Sequence, residues 1–461
     1  MKSHAPRLSS KAPIFALALL ALGLMAQAHA RADCPADPIA PRYYAALPFR
    51  ETPYAPLVGV HPMPASEAAV RNHYMFEFDG CGRVVRVRFR LGDTVRDLND
   101  TAGYYHYAPV VEIAYEPGRE IRHFFDRHGN PIRVSGDVFT EIFTLDEQGF
   151  RASLSFRDAQ GAPVANSWGV VRYEWTRHAD GVVEEVRLDA DGTLMPIRPH
   201  FPFYRLHLHY GAEGWLAVMR NVDAAGQPVM NALNAAQDRL EFNAAGDLLS
   251  WNVLDADGQR AVGNGPAVAQ GIIERDAHGY EIVERYADET GAPMHNSYGY
   301  GYTRAAYDAF GNRIERANYS LDGTRLVARE TGYAGFRYVY DASGLLRTAI
   351  ELFDENRAPA ARLDQGWARA EYRHDAQGNI VSIRYFDAAG APMARTDNGV
   401  AQIVQTHDAR GRMTERQYRD LSGALVADPR TGIARTLHTY SDYGFPDHTA
   451  HYDAEGAEVE L

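Results

Sequence analysis

Lysine is absent from the chain after Lys11, and cysteine occurs only twice, at Cys34 and Cys81. The missing lysine follows from GC-rich codon usage and assigns no function. Two cysteines leave no Cys-x-x-Cys pair for a metal knuckle or a redox centre. Gly-x-Ser-x-Gly, His-Glu-x-x-His and Gly-x-x-x-x-Gly-Lys are missing as well, so no catalytic residue, cofactor or metal is assigned. Beyond the first thirty residues no apolar run is long enough to cross a membrane as a helix. No window carries ten residues of helical periodicity without turn punctuation, which excludes a helical repeat.

What is present begins with a leader. Lys2, Arg7 and Lys11 precede an apolar stretch from Ile14 to Met25, and Ala28-His29-Ala30 is a small-x-small cleavage signal, with Ala30-Arg31-Ala32 equally acceptable. Residues 1–30 therefore read as a signal peptide, and the mature protein is expected in the periplasm or secreted. Cys34 follows Arg31-Ala32-Asp33, which is no lipobox, so no lipid anchor is expected. Export places both cysteines where disulfides persist. A Cys34–Cys81 bridge would close a loop of about 47 residues, worth roughly 4 kcal/mol in chain entropy. The chain carries 47 Lys and Arg against 60 Asp and Glu. Removing the three cations of the leader leaves 44 against 60, a net charge of −16, which argues against nucleic acid or anionic lipid as partners.

From residue 111 to 461 the chain is a repeat. In the stretch from Gly366 to Pro392, two Asp-x-x-Gly tetrapeptides, Asp375 to Gly378 and Asp387 to Gly390, flank a segment where Val381, Ile383 and Tyr385 alternate with Ser382 and Arg384. Asp opens a type I turn by accepting a backbone amide two residues on, and Gly takes the positive φ that closes it. The alternation is that of a half-buried strand. Related turns form two classes, one running from Gly118 to Gly444 and one, often continuing as Gly-x-Pro, from Gly129 to Gly456. Within a unit the two are about 12 residues apart, and the next unit follows after about 20 to 22, giving a period of about 33. Arg357 stands where the second class requires glycine. A propeller blade needs four strands in about 40 to 45 residues, so the expected fold is all-β: a tandem array of antiparallel β-hairpins of about eight-residue strands, forming a continuous twisted or spiralling sheet. Residues 31–110 read as an N-terminal cap with a first hairpin, its Pro-rich arm covering the first exposed strand. Between Met230 and Gly246 the strand signal nearly disappears, so a bend or a bulged region is expected mid-chain.

Two units, Tyr338-Val339-Tyr340-Asp341-Ala342-Ser343-Gly344 and Tyr307-Asp308-Ala309-Phe310-Gly311-Asn312, resemble the YD repeats of the Rhs family. That resemblance implies strand pairs closed by Tyr-Asp-x-x-Gly turns, coiled into large sheets on secreted or cell-surface proteins. It transfers no catalytic residues. The alternation of short and long spacings departs from a single YD period, and Leu461 follows the last turn by about five residues, so the toxin role of that family is not expected.

Three groups of residues invite a site. Tyr298, Tyr300 and Tyr302 alternate with Gly299 and Gly301, so as a strand they would project three phenols from one face, either as core or as a platform for sugar rings; they are the ligand-binding candidates. His207 and His209, with His200 seven residues before the first, could share a metal, but zinc needs at least three protein ligands and spacing supplies no third. Asp189-Ala190-Asp191-Gly192 and Asp255-Ala256-Asp257-Gly258 lack the further oxygen ligands of a calcium loop and read as turns. The expected function is an exported, non-enzymatic repeat protein presenting an extended surface to an envelope or cell-surface protein, or to a glycan. The alternatives are an envelope glycan hydrolase with carboxylates in the irregular 193–212 region, and an outer-membrane β-barrel, for which the strands are slightly short.

Overall fold

The computed structural model describes residues 38–49, 52–98 and 108–460. The leader and Cys34 lie outside the described residues; Cys81 sits in the turn after Phe78, its amide donating to Asp79 Oδ1 at 3.0 Å.

Each hairpin is built from its corner outward. At Asp146 the carboxylate Oδ1 accepts the amides of Gln148 and Phe150, both at 2.9 Å. The Gly149 amide closes the turn on the Asp146 carbonyl at 3.0 Å, and Gly149 has φ of 84°. The extra residue appears as a register slip between Thr144 and Leu145, a bulge that adds twist. Positive φ recurs at every turn residue of both classes, Arg357 included at 68°. After a second-class turn the chain doubles back for a single bridge, as Arg157 to Pro163, then reverses again. These links are ordered by one another: Ser167 donates to the Ser135 carbonyl at 3.1 Å, Ser297 to Pro266 at 2.8 Å and Thr396 to Gln365 at 3.0 Å.

Among the described residues twenty-seven strands form one sheet, and its strands are shorter than expected, six or seven residues each in the repeats. β3 (Asn72–Phe78) pairs with β4 (Val84–Leu91), and β4 with the two-residue β5 (Thr94–Val95) and with β6 (Val110–Glu116). From β6 every strand pairs antiparallel with the next, as far as β27 (Pro446–Tyr452). β1 (Ile39–Ala46) covers the free edge of β3, and β2 (Val60–Met63) covers β1. Among the described residues no ladder joins β27 to β2, so the sheet is open. Of the expected bend or bulge, only the bulge is found: β14 (Gln237–Phe242) and β15 (Leu248–Leu254) pair along their length, with a register slip between Glu241 and Phe242. Their alternation is hidden by buried polar groups: Gln237 accepts from Arg220 Nε at 3.0 Å, and Asp238 from Asn264 Nδ2 at 3.0 Å.

The sheet coils back on itself, and an N-terminal strip seals the seam. The His61 amide donates to the Ala245 carbonyl at 3.1 Å and the Asn72 amide to Phe310 at 2.8 Å. Arg96 donates to Asn312 Oδ1 at 2.7 Å and to the Gly344 carbonyl at 3.1 Å. Arg127 donates to Asn379 Oδ1 at 2.9 Å, and Asn130 Nδ2 to the Arg410 carbonyl at 2.8 Å. First-class corners spread along the second half of the chain thus rest on residues 61 to 130. Gly411 shows how close the approach is, since a Cβ there would lie 2.5 Å from the His128 ring.

The enclosed face holds a core in two clusters, one running from Leu57 to Ile273 and a smaller one around Leu352, Ala370 and Tyr385. Charge is buried inside the first. Glu120 on β7 (Arg119–Phe125) accepts two bonds from Arg151 at 2.7 Å and one from Arg122 at 2.8 Å, and both guanidiniums lie over the Phe143 ring, at 4.1 and 4.5 Å. Arg151 also donates to the carbonyls of Pro53, Tyr54 and Ala55, tying the arm inside the coil. Burial alone would raise the Glu120 carboxyl, but Arg151 and Arg122 outweigh it and hold it down to about 2.

Two outcomes follow. A depressed carboxyl stabilises the fold above its unfolded value and loses that contribution as pH falls toward its folded value. Glu120→Gln should cost about 3 kcal/mol at pH 7 and much less near pH 3, read by urea unfolding at both pH values. Arg357 gains a bidentate contact to Glu315, at 3.0 and 2.6 Å, that partly offsets its left-handed backbone. Arg357→Gly should therefore stabilise by about 0.5 kcal/mol alone, and by about 1 kcal/mol in a Glu315→Gln background; equal destabilisation in both backgrounds would refute the strain.

Candidate functional site

From β14 onward the enclosed face changes character. Register pairs carry Asp238 to Val253, Leu240 to Trp251, Trp251 to Gly271, Gly271 to Tyr286 and Ile273 to Glu284, across β15, β16 (Gln270–Arg275) and β17 (Glu281–Ala287). The Trp251 indole lies flat over Gly271, where a Cβ would come within 2.0 Å of the ring, so only glycine fits. Where aromatic core fills the first half of the coil, these residues leave a cavity of about 660 Å³, and a smaller one of about 250 Å³ adjoins it. Tyr298 and Tyr300 line both.

The groove is polar at its floor. Arg316 donates to Glu284 Oε2 at 2.9 Å and to Thr303 Oγ1 at 3.3 Å. Burial raises the Glu284 carboxyl above its ordinary value although Arg316 opposes it, and Glu281 adds to the rise. Burial likewise raises the phenols of Tyr286 and Tyr300. The site can therefore offer fixed carboxyl, guanidinium and phenol groups beside flat apolar rings.

The tyrosine row is divided. Tyr298 and Tyr300 do not lie on a strand; they occupy the link turn opened by Asn296, whose Oδ1 accepts both of their amides, at 3.1 and 3.3 Å, and which Gly299 closes at φ 92°. Their rings stack at 6.0 Å, 16° apart, and Tyr298 is 42% exposed. Tyr302 opens β18 (Tyr302–Tyr307) in register with Arg285, whereas its neighbour Thr303 pairs with Glu284 of the groove. Tyr302 therefore points to the opposite face, buried and stacked on Tyr319 at 4.9 Å. The expected row of three phenols is corrected to a pair, because the positive φ at Gly299 ends the period-two alternation that a strand requires.

His200, with φ of 66°, lines the groove, while His207 and His209 lie on the outward face of β12 (Arg205–Tyr210), beside inward Leu206 and Leu208. The three histidines therefore form no common site. Asp189 and Asp255 spend Oδ1 on the amides two and four residues on, as turn residues do. Residues 193–212 contain no Asp or Glu, so carboxylates for hydrolysis cannot come from there; the groove's acids, Glu281, Glu284 and Asp238, come from strands further on. Reading the sequence alone misses Glu284, Arg316 and Trp251, since only strand register brings them together.

No family model matches the chain, and no curated protein matches it. Among solved structures it is similar to a crystal structure of TcdB2-TccC3-TEV, at 13% identity and a TM-score of 0.30, over 85% of this chain and 20% of that one. It is also similar to the Photorhabdus luminescens Tc holotoxin pore with a TccC3 mutation, at 15% identity and 0.30, over 85% and 19%. A porin-like protein from Bacteroides uniformis follows at 9% identity and 0.16, over 83% and 95%. The chain spans about a fifth of the length of the first two.

The division of the tyrosines is measurable. Tyr302→Ala should cost about 2 to 4 kcal/mol in urea unfolding, and Tyr298→Ala less than about 0.5 kcal/mol.

Proposed function

We propose that this is an exported, non-enzymatic repeat protein whose coiled sheet binds a cell-envelope glycan in the groove beside Tyr298 and Tyr300. The observation that carries this reading is the stacked tyrosine pair, Tyr298 exposed and Tyr300 half-buried, at a groove with an anchored carboxyl–guanidinium floor. A pyranose ring presents apolar C–H faces that lie on aromatic rings, while its equatorial hydroxyls need donors and acceptors held in place, as Glu284 and Arg316 are. The resemblance of the Tyr-Asp-x-x-Gly units to Rhs repeats, together with the leader, supports an exported setting, in the periplasm or secreted, with the Cys34–Cys81 bridge formed there. The open edge of the sheet supports a free array over a membrane barrel.

One observation favours a second reading, a glycan hydrolase. Glu284 is a buried carboxyl raised above its ordinary value, as a general acid requires.

Soluble peptidoglycan oligosaccharides titrated into the untagged protein by calorimetry test both. Binding weakened at least about tenfold by Tyr298→Ala, equivalent to about 1.4 kcal/mol, with no clearing on a peptidoglycan zymogram, is the expected result. Binding indifferent to Tyr298→Ala and Tyr300→Ala would overturn the site. Clearing abolished by Glu284→Gln would establish the hydrolase instead.

A further inference from the structure

A few corners depart from the Asp, Asn or Ser rule, and one of them carries a histidine. The turn after β10 (Arg172–Arg177) reads His178-Ala179-Asp180-Gly181, with histidine at the position held by Asp, Asn or Ser in most other turns. The turn still forms, as the Gly181 amide donates to the His178 carbonyl at 3.0 Å. An imidazole does not reproduce the two amide contacts of an aspartate there; Asp180 Oδ1 takes the Val182 amide at 3.1 Å instead. The exception gains nothing locally, and its ring is free to reach elsewhere.

It reaches two strands. Glu184, on β11 (Val183–Leu188), is in register with His207 of β12, so both project outward side by side. Glu184 Oε2 lies 3.5 Å from His207 Nε2 and 3.9 Å from His178 Nε2. One ligand atom from each residue lies within 4.8 Å of the other two. The opposite carboxylate oxygen, Oε1, is held by Arg205, which turns Oε2 toward the imidazoles.

We propose that His178, Glu184 and His207 form a divalent-metal site, suited to Zn²⁺, on the outward face of the sheet. Two imidazoles and one carboxylate are zinc donors, and bonds of about 2.0 to 2.2 Å at tetrahedral angles set donor atoms about 3.4 Å apart. The Glu184–His207 pair already has that separation, and His178, on an exposed corner, needs only a small side-chain adjustment. Arg205 orients the carboxylate as outer-shell donors do in metal sites. Imidazole donors select zinc against magnesium and calcium, which want oxygen. Three protein ligands leave a fourth position for water or for a side chain of a partner, and the bound ion would pin the corner after β10 to β12. His209, two residues beyond His207, is not needed in this set; the third and second ligands come from a neighbouring corner and strand.

The test uses untagged, chelator-stripped full-length mature protein, with ZnCl₂ alone as the titrant. Calorimetry should give one Zn²⁺ per chain with a Kd below about 10 μM, and MgCl₂ should give no binding. His178→Asn places at the corner a residue that already works in the turn from Asn243, where Oδ1 accepts the amides of Ala245 and Asp247. That variant should keep or raise the metal-free melting temperature while weakening zinc at least about 30-fold. His207→Gln should weaken zinc to a similar degree. No binding by the wild type at 100 μM zinc (~10-fold above that Kd), or the same affinity in folded His178→Asn, would overturn the site.

Discussion

A chain that reverses about every dozen residues strands backbone amides at each corner, and at most corners here one side-chain oxygen, usually a carboxylate's, satisfies two of them. Asp146, Asp158, Asp308 and their equivalents accept the amides two and four residues on. The residue at positive φ then directs the chain into the next strand. Because this contact is local, each hairpin is specified by a tetrapeptide, and the sheet grows by repetition without long-range instruction. The bulge that accompanies most first-class tetrapeptide turns adds twist, and accumulated twist is what brings distant corners together.

Coiling creates a second requirement, that stacked corners find polar partners. The residue following the turn glycine meets it: Asn130, Asn312 and Asn379 are buried, each donating back to its own turn aspartate while bonding across the seam. Arg96 joins Asn312 to the Gly344 carbonyl in one cluster. With the seam closed, the inward face of the first half is filled by aromatic core and by the arm held through Arg151. Further along, the same face is left as the groove under Trp251, Tyr298 and Tyr300.

How much of this could be read from the sequence depends on range. The corners, their period and the positive φ at Arg357 were legible, because each rests on contacts within five residues. The ladder through Gln237 and Asp238 was not, since their partners, Arg220 and Asn264, lie a strand or more away and bury polar groups that disguise the alternation. The tyrosines were misread for a related reason: Tyr-Gly-Tyr-Gly-Tyr has the period of a strand, and only the Asn296 turn breaks it. The seam had a signal, the Gly-Asn dipeptide, but nothing in one sequence says what those asparagines meet.

The groove and the buried Glu120 cluster presuppose that the sheet is coiled and sealed by its N-terminal strip. Small-angle X-ray scattering of the mature chain, about 430 residues, tests that directly. A coiled, sealed sheet predicts a radius of gyration of about 22 to 26 Å. An uncoiled ribbon of 27 strands at a spacing of about 4.8 Å would extend roughly 125 Å and give about 36 Å, and a value in that range would contradict the account.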